Sequence, residues 1–328
     1  MSARFTCGQL IDNCPQGEHS AVGEHVAILM CTYNGEKFLQ PQLDSIARQS
    51  HTNWSLFISD DGSSDRTHSL LSSFQQSQGA GRVNLLAGAG QGFVHNFLSL
   101  TCRVNAAADF FAWSDQDDIW CEDKLKVAVA WLSSIPRTTP ALYCGRTQVV
   151  GEDCTSRSLS PRFFFTPHFR NALVQCIAGG NTMVFNSAAR ALIIEAGYQI
   201  KVPSHDWWCY QLISAAGGVV RYDPVPRLLY RQHGGNVIGS SMGMRSRLLR
   251  IGMLWEGRWR SWDFRNIEAL EIMAHHLLAP NAKTLLHFKR AREQKLPFRL
   301  LSLFRAGVYR QTVFGNLGLV FATLFKKI

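Results

Sequence analysis

The chain has 328 residues, of which 46% are hydrophobic and 18% charged, with a formal net charge of +10. This excludes a disordered chain and leaves ample length for a large core, while no run reaches the roughly 20 apolar residues that a membrane-spanning helix needs. The charge is uneven, with net −4 over residues 1–150, +3 over 151–239 and +11 over 240–328, so the basic C-terminal region suits nucleic acid, an anionic membrane surface or plain water.

Residues 1–24 are mixed and polar and read as a loose extension without the apolar stretch of a secretory signal. His25 to Cys31 is a continuous apolar run, which predicts a buried parallel strand. A turn, Thr32-Tyr33-Asn34-Gly35, leads to a helix over about 36–49. Trp54 to Ser59 predicts a second strand, ending in Asp60-Asp61-Gly62, with Ser63 or Asp65 able to cap a helix running to about Gln76. Arg82 to Leu86 predicts a third strand, followed by a Gly-rich loop, Ala87 to Phe93, and a helix through Leu100. That loop is not a GxGxxG fingerprint and lacks the GK[ST] end of a P-loop, which argues against a dehydrogenase or a P-loop NTPase.

Phe110 to Ser114 predicts a fourth strand, and an acidic turn follows it at once: Asp115-Gln116-Asp117-Asp118. Three carboxylates this close repel, and a cation between them relieves the repulsion. A helix N-terminus explains one or two acids better than three. A helix is expected over Cys121 to Leu132. Further strands are expected at 141–146, 182–185 and 219–222, and helices at 187–196 and 207–215. Strands alternating with helices argue for an α/β domain with a mostly parallel sheet. The polar clusters after strands one, two and four would then converge on one sheet edge, where such folds keep their chemistry.

Gly179-Gly180-Asn181 permits close backbone approach to a ligand and is equally good as a plain turn. Asp206, beside His205 and two indoles, suits a general base and also the opening of a helix. Arg231 to Asn236, with His233, offers a diphosphate or metal clamp. After Gly239 the chain turns basic and amphipathic. Leu248, Ile251, Trp255, Trp259 and Trp262 fall on one helical face. Further on, Pro297, Leu300, Leu301, Phe304 and Val308 share a face from which Arg299 and Arg310 point away. Tryptophan and arginine on such helices suit a lipid headgroup interface; packing on the domain with Arg toward water is the alternative. The nine cysteines, odd in number and without a CxxC pair, read as reduced, cytosolic thiols.

Taken in order, CTYNGEKFL, SDDGSSD, SDQDDIW, AGGNTMVFN, SHDWW and YRQHGGNVIG resemble the family 2 glycosyltransferases, and among them bacterial rhamnosyltransferase-like proteins of surface-polysaccharide synthesis. The resemblance covers about residues 25–239, which it marks as the glycosyltransferase domain, with 240–328 a basic helical region. It implies a GT-A fold and inverting transfer of a sugar from a nucleotide-diphosphate donor, dTDP- or UDP-linked, to a glycan or polyprenyl-linked acceptor. Thr32, Tyr33 and Asn34 match residues around the nucleotide, and Asp61, with Asp60 beside it, the carboxylate that recognises the base. Asp115-Gln116-Asp117 matches the DxD motif, with Asp117 on the metal and Asp115 near ribose or metal. Asp206 matches the catalytic base, and His233 a loop residue that reaches the metal or diphosphate. Gly179, Gly180 and Asn181 fall in a matching donor-site segment. Many relatives carry Glu-Asp where this chain has His205-Asp206. The oxygen-rich donor set points to Mg²⁺ or Mn²⁺, and the cytoplasmic face of the membrane is the expected location. The competing class is a non-catalytic basic protein that binds membrane or nucleic acid, and a retaining enzyme is a lesser alternative.

Overall fold

The computed structural model describes residues 23–79, 81–234 and 257–328. The first four strands are β1 Val26–Thr32, β2 Trp54–Asp60, β3 Val83–Ala87 and β4 Phe110–Ser114, separated by helices α1 Leu39–Ala47, α2 Thr67–Gln78 and α3 Phe93–Arg103. β5 Ile119–Trp120 and α4 Lys124–Leu132 follow, then β6 Ala141–Gly145, β7 Gln148–Val150 and β8 Arg157–Leu159. Next come α5 Phe169–Ala172, β9 Val184–Asn186, α6 Ser187–Ala196, α7 His205–Ala215, β10 Val219–Asp223 and β11 Leu228–Arg231. Four helices end the chain: α8 Arg258–Ile272, α9 Ala279–Glu293, α10 Phe298–Ala306 and α11 Val313–Leu324.

A seven-stranded sheet runs in the order β10-β6-β9-β4-β1-β2-β3, parallel except for β9, which is antiparallel to both neighbours. This is the mostly parallel α/β arrangement that the sequence predicts. All seven residues of β1 are buried, as expected of a central strand covered by helices on both faces. Its alternate side chains feed two cores: Ala27 and Leu29 meet Trp113, Phe97 and Trp208, while Val26, Ile28 and Met30 meet Leu43, Leu56 and Val129. Truncating such a residue, Leu29→Ala for instance, costs about 2–5 kcal/mol. Register does the rest. Thr32 lies opposite Asp60 and Met30 opposite Ser114, so β1, β2 and β4 end together and their polar turns share one edge.

A second sheet, β5-β11-β7-β8, was not expected from the sequence; its strands are two to four residues long and carry little periodicity. It pairs β11 with β5 and so draws the segment after 228 onto the acidic turn. The C-terminal helices join the main core: Ile267, Leu270, Leu285 and Phe288 pack in the same cluster as Trp208 and Leu212. Residues 1–22, the segment around 239–240, and Leu248, Ile251 and Trp255 lie outside the described residues. Trp259 and Trp262 are half-buried and meet edge to face at 5.4 Å, with the Arg310 guanidinium over Trp259.

The expected faces of α10 are corrected. Arg299 is buried and donates from Nη1 to the carbonyls of Thr323 and Leu324, at 3.2 Å each, whereas Leu301 and Phe304 are exposed. A guanidinium that satisfies the orphan carbonyls at a helix C-terminus outweighs the apolar periodicity of its own helix.

Candidate active site

Asp60 ends β2 and is buried. Its oxygens accept from Thr32 Oγ1 at 2.8 Å, Ser63 Oγ at 2.6 Å and Ser63 N at 2.8 Å, and His68 lies 3.0 Å away. Burial pushes this carboxyl up, but the Ser63 and Thr32 hydrogen bonds and the His68 charge outweigh it and hold Asp60 below the usual range. Its contacts build the turn. Asp61, next along, accepts Gly90 N on one oxygen and Gly92 N on the other, both at 2.8 Å, so the Gly-rich loop folds over the end of β2. Gly88 permits that approach, since a Cβ there would meet Asp61 Oδ1 at 2.6 Å.

Asn34 adopts a left-handed φ of 46° and its side chain accepts from Ser64 N at 2.8 Å. Tyr33 is exposed, and its backbone is clamped by Gln116: Tyr33 N donates to Gln116 Oε1 and Gln116 Nε2 donates back to Tyr33 O, both at 2.9 Å. The middle residue of the acidic turn therefore locks the β1 turn in place. Sequence reasoning did not assign Gln116 this role, and its only signal is a position between two acids.

The acidic turn divides its carboxylates. Asp118 is fully buried, accepts from Asn181 Nδ2 at 2.6 Å and from Arg231 N at 3.4 Å, and does not cap the following helix, which starts at Lys124. Burial, then Asp117 and Asp115, raise it well above the ordinary carboxylate range. Lys124 is buried nearby with Nζ 3.6 Å from the Trp120 ring centroid, and burial lowers it to about 7 against the pull of Asp118. Asp117 Oδ2 lies 2.7 Å from His233 Nε2, and the Asp117 carbonyl accepts from Arg231 Nε at 3.1 Å. Asp115 is raised to about 8, by burial first and then by Asp117 and Asp206. Asp115 and Asp117 thus lie in one another's field, with the His233 imidazole beside Asp117, and oxygen and imidazole groups of this kind are ones that hard divalent cations accept.

Asp206 sits in the first turn of α7. Its Oδ2 accepts from Gly180 N at 3.2 Å and its Oδ1 from Trp207 N at 2.6 Å. Gly180 opens a 3-10 turn through Thr182 that is pressed onto His205, so that a Cβ on Gly180 would collide with His205 Nε2. His205 is buried, stacked on Phe97 at 4.2 Å and edge-on to Trp113 at 4.8 Å. Neither ring nitrogen has a hydrogen-bond partner among the described residues, and burial drives its pKa down to about 4 despite Asp206 beside it. A neutral ring thus packs against the Gly180 turn, whose amide bonds Asp206.

The structure gathers Asp115, Asp117, His233, Gly180, Asn181 and Asp206 at one site, with Thr32, Tyr33, Asn34 and Asp61 along the same sheet edge. The buried Cys31 thiol, pushed up by burial and then by Asp115 and Asp61, lies in the field of both groups. The described cysteines are free thiols. Among the described residues, the trio of possible ligands whose donor atoms lie within 4.8 Å of one another is elsewhere: Glu195, His275 and His276, which tie the end of α6 to the turn after α8.

The profile described as Glycosyl transferase family 2 matches residues 27–193. The dTDP-rhamnosyl transferase RfbG of Shigella flexneri is 30% identical over 247 residues, 70% of this chain and 80% of that protein. The UDP-Glc:alpha-D-GlcNAc-diphosphoundecaprenol beta-1,3-glucosyltransferase WfgD of Escherichia coli is 32% identical over 110 residues, 33% of this chain and 40% of that protein. Among solved structures, S. aureus TarS 1-349 in complex with UDP-GlcNAc aligns with a TM-score of 0.54 at 15% identity, over 86% of this chain and 81% of that one. GalNAc-T7 with UDP, GalNAc and Mn²⁺ aligns with a TM-score of 0.54 at 12% identity, over 87% and 55% of the two chains.

Proposed function

This chain belongs to glycosyl transferase family 2 and has the GT-A fold, and on that premise we propose that it is an inverting, metal-dependent transferase of surface-polysaccharide synthesis. It takes a sugar, of the rhamnose type, from a dTDP- or UDP-linked donor and places it on a glycan or polyprenyl-linked acceptor. The similarity to RfbG supports the donor class, and the name of WfgD supports a lipid-linked acceptor. Such an acceptor sets the protein peripherally at the cytoplasmic face of the membrane; no helix among the described residues is long and apolar enough to cross it. No nucleic acid is part of this reading.

The observation that carries the proposal is the convergence of Asp115, Asp117 with His233, and Asp206 from three separate segments. Asp117, Asp115 and His233 would hold Mg²⁺ or Mn²⁺, and the burial and like charge that push the Asp115 carboxyl up are what a cation would offset. When bound, the cation offsets the charge that develops on the leaving diphosphate. Asp206 removes the proton from the acceptor hydroxyl as its oxygen attacks the anomeric carbon on the face opposite the nucleotide. That single displacement inverts the centre, as in the two-sided geometry of inverting glycosidases. Thr32, Tyr33 and Asn34, with Asp60 holding their turn and Asp61 at the base, would receive the nucleoside; Gly179, Gly180 and Asn181 would line the sugar. The extension 1–24 and the helical region 240–328 would flank a catalytic domain of 25–239.

The test is a panel of nucleotide sugars offered with Mn²⁺ and a polyprenyl-linked glycan, reading nucleoside diphosphate release and the anomeric configuration of the product. Release with inversion from one donor supports the reading; a product of retained configuration would overturn the single displacement.

A further inference from the structure

Helices α10 and α11 pack as a pair, joined by the Arg299 contacts to Thr323 and Leu324. Their connecting loop is fastened to α5 and the turn after it: Arg310 Nη1 donates to Val174 O at 2.9 Å, and Asn171 Nδ2 donates to Tyr309 O at 3.0 Å. Asn171 also bonds Tyr210 of α7, the helix that carries Asp206. So the pair sits on elements that adjoin the proposed base.

What this pair turns outward is apolar. On α11 only Leu319, Ala322 and Thr323 are buried, while Phe314, 86% exposed, shares the outer surface with Val313, Leu317, Val320, Phe321 and Leu324. These positions recur at three- and four-residue steps, which is one continuous helical face. On α10, Phe298, Leu301 and Phe304 do the same, Phe304 at 84%. Phe164 and Phe165, both exposed, adjoin the loop: Gln311 bonds the Phe165 backbone through both of its amide atoms. Soluble monomers seldom expose so large an apolar surface unless it binds something.

The charge around it selects the partner. Residues 294–328 hold six lysines and arginines and no acid; Arg299 and Arg310 are engaged inside the fold, while Lys295, Arg305 and Lys326 are exposed. A second copy of this chain would bring like charges together, whereas anionic headgroups complement them. At 12 residues, α11 is about 18 Å long, well short of the roughly 30 Å of a bilayer core, so it suits lying in the interface rather than crossing.

We infer that the outer face of α10 and α11, edged by Phe164 and Phe165, docks into the headgroup region of an anionic phospholipid bilayer. The docking stands independently of the transferase reading. Its consequence, that a lipid-linked acceptor reaches Asp206 from the bound surface, rests on it.

The experiment is flotation of the full chain with phosphatidylcholine vesicles and with vesicles containing phosphatidylglycerol, at low and high salt. The expected result is binding to the anionic vesicles that salt weakens. The double variant Phe304→Ser/Phe314→Ser should reduce it at least about tenfold, since each ring buries several CH₂ equivalents. Arg305→Glu/Lys326→Glu should abolish the preference for anionic lipid. Both variants should keep the wild-type Tm and the wild-type thermal shift with UDP or dTDP and Mn²⁺. Failure of the wild type to bind, or full binding by the Phe variant, overturns the inference; so does a wild-type dimer in light scattering that the Phe variant converts to monomer. Vesicle binding without any nucleotide shift would instead overturn the transferase reading and leave the docking intact.

Discussion

His233 Nε2 lies 2.7 Å from Asp117 Oδ2, across 116 residues of chain. The short second sheet makes this contact, because β11 pairs with β5 just beyond the acidic turn and Arg231 reaches back to the Asp117 carbonyl. If the two side chains hold one cation, both should be needed for donor binding, and unequally. Asp117→Ala removes a charge and should weaken Mn²⁺-dependent binding of UDP or dTDP more than tenfold, at least about 1.4 kcal/mol. His233→Ala should cost about 10–100-fold in metal affinity. Calorimetric titration with and without Mn²⁺ checks both. Chelation should abolish donor binding by the wild type, and nucleotide affinity indifferent to metal in all three proteins would sink the assignment.

Asp206 is held by two amides, Gly180 N and Trp207 N, with its side chain part-exposed at the start of α7. Asp206→Asn keeps the shape and loses the base. Positioned base catalysis is worth ~10²–10⁴-fold, so turnover should fall by that factor while donor affinity stays within about twofold of wild type. Near-normal turnover would move the base elsewhere.

Gly180 faces His205 so closely that a Cβ has no room. Gly180→Ala should push the 3-10 turn off the ring, costing about 1–3 kcal/mol in stability and a larger share of activity than of donor affinity, because Asp206 loses its amide donor. Adding His205→Ala makes room for the methyl group. The double variant should therefore be less impaired than the sum of the singles, and strictly additive losses in a double-mutant cycle would show that the two residues do not communicate.

His205 also sets a pH dependence. Its folded pKa is about 4, lowered by burial from 6.5. As pH falls below 6.5 the unfolded chain takes up the proton first, so the stability this ring supports is whole above about 6.5 and is lost progressively toward 4. The loss is on the order of 3 kcal/mol. Thermal unfolding between pH 7 and 4.5 should show a steeper fall for wild type than for His205→Leu; parallel curves would mean that His205 titrates freely.

Much of the scaffold was legible in the chain. The apolar runs at 26–32, 54–60 and 110–114 give strands within a residue or so of their expected ends, because a strand buried on both faces is apolar over most of its length, and the half-exposed edge strand at 83–87 falls equally close. The acidic turn was picked out because charge after such a strand has a short list of explanations, and Asp206 because it stands beside His205 and two indoles. The second sheet was not legible: β5, β7 and β8 have two or three residues each, too few for a period to register. The role of Asp118 was not legible either, since local propensity is blind to Asn181, 63 residues away, which occupies it.

The sequence by itself thus determined the class of fold, the order of the strands in the main sheet and of the helices between them, and which residue types could do chemistry, all of which follow from hydrophobic periodicity and short-range charge. Tertiary structure alone decided how the neighbouring acids divide. Asp118 is spent on Asn181, Asp117 is turned to His233, and Asp60 and Asp61 hold two different turns. It also decided which side of α10 faces inward, because the free energy of satisfying the carbonyls of Thr323 and Leu324 resides in a neighbouring helix. Those choices are made by partners distant in the chain, and no local pattern carries them.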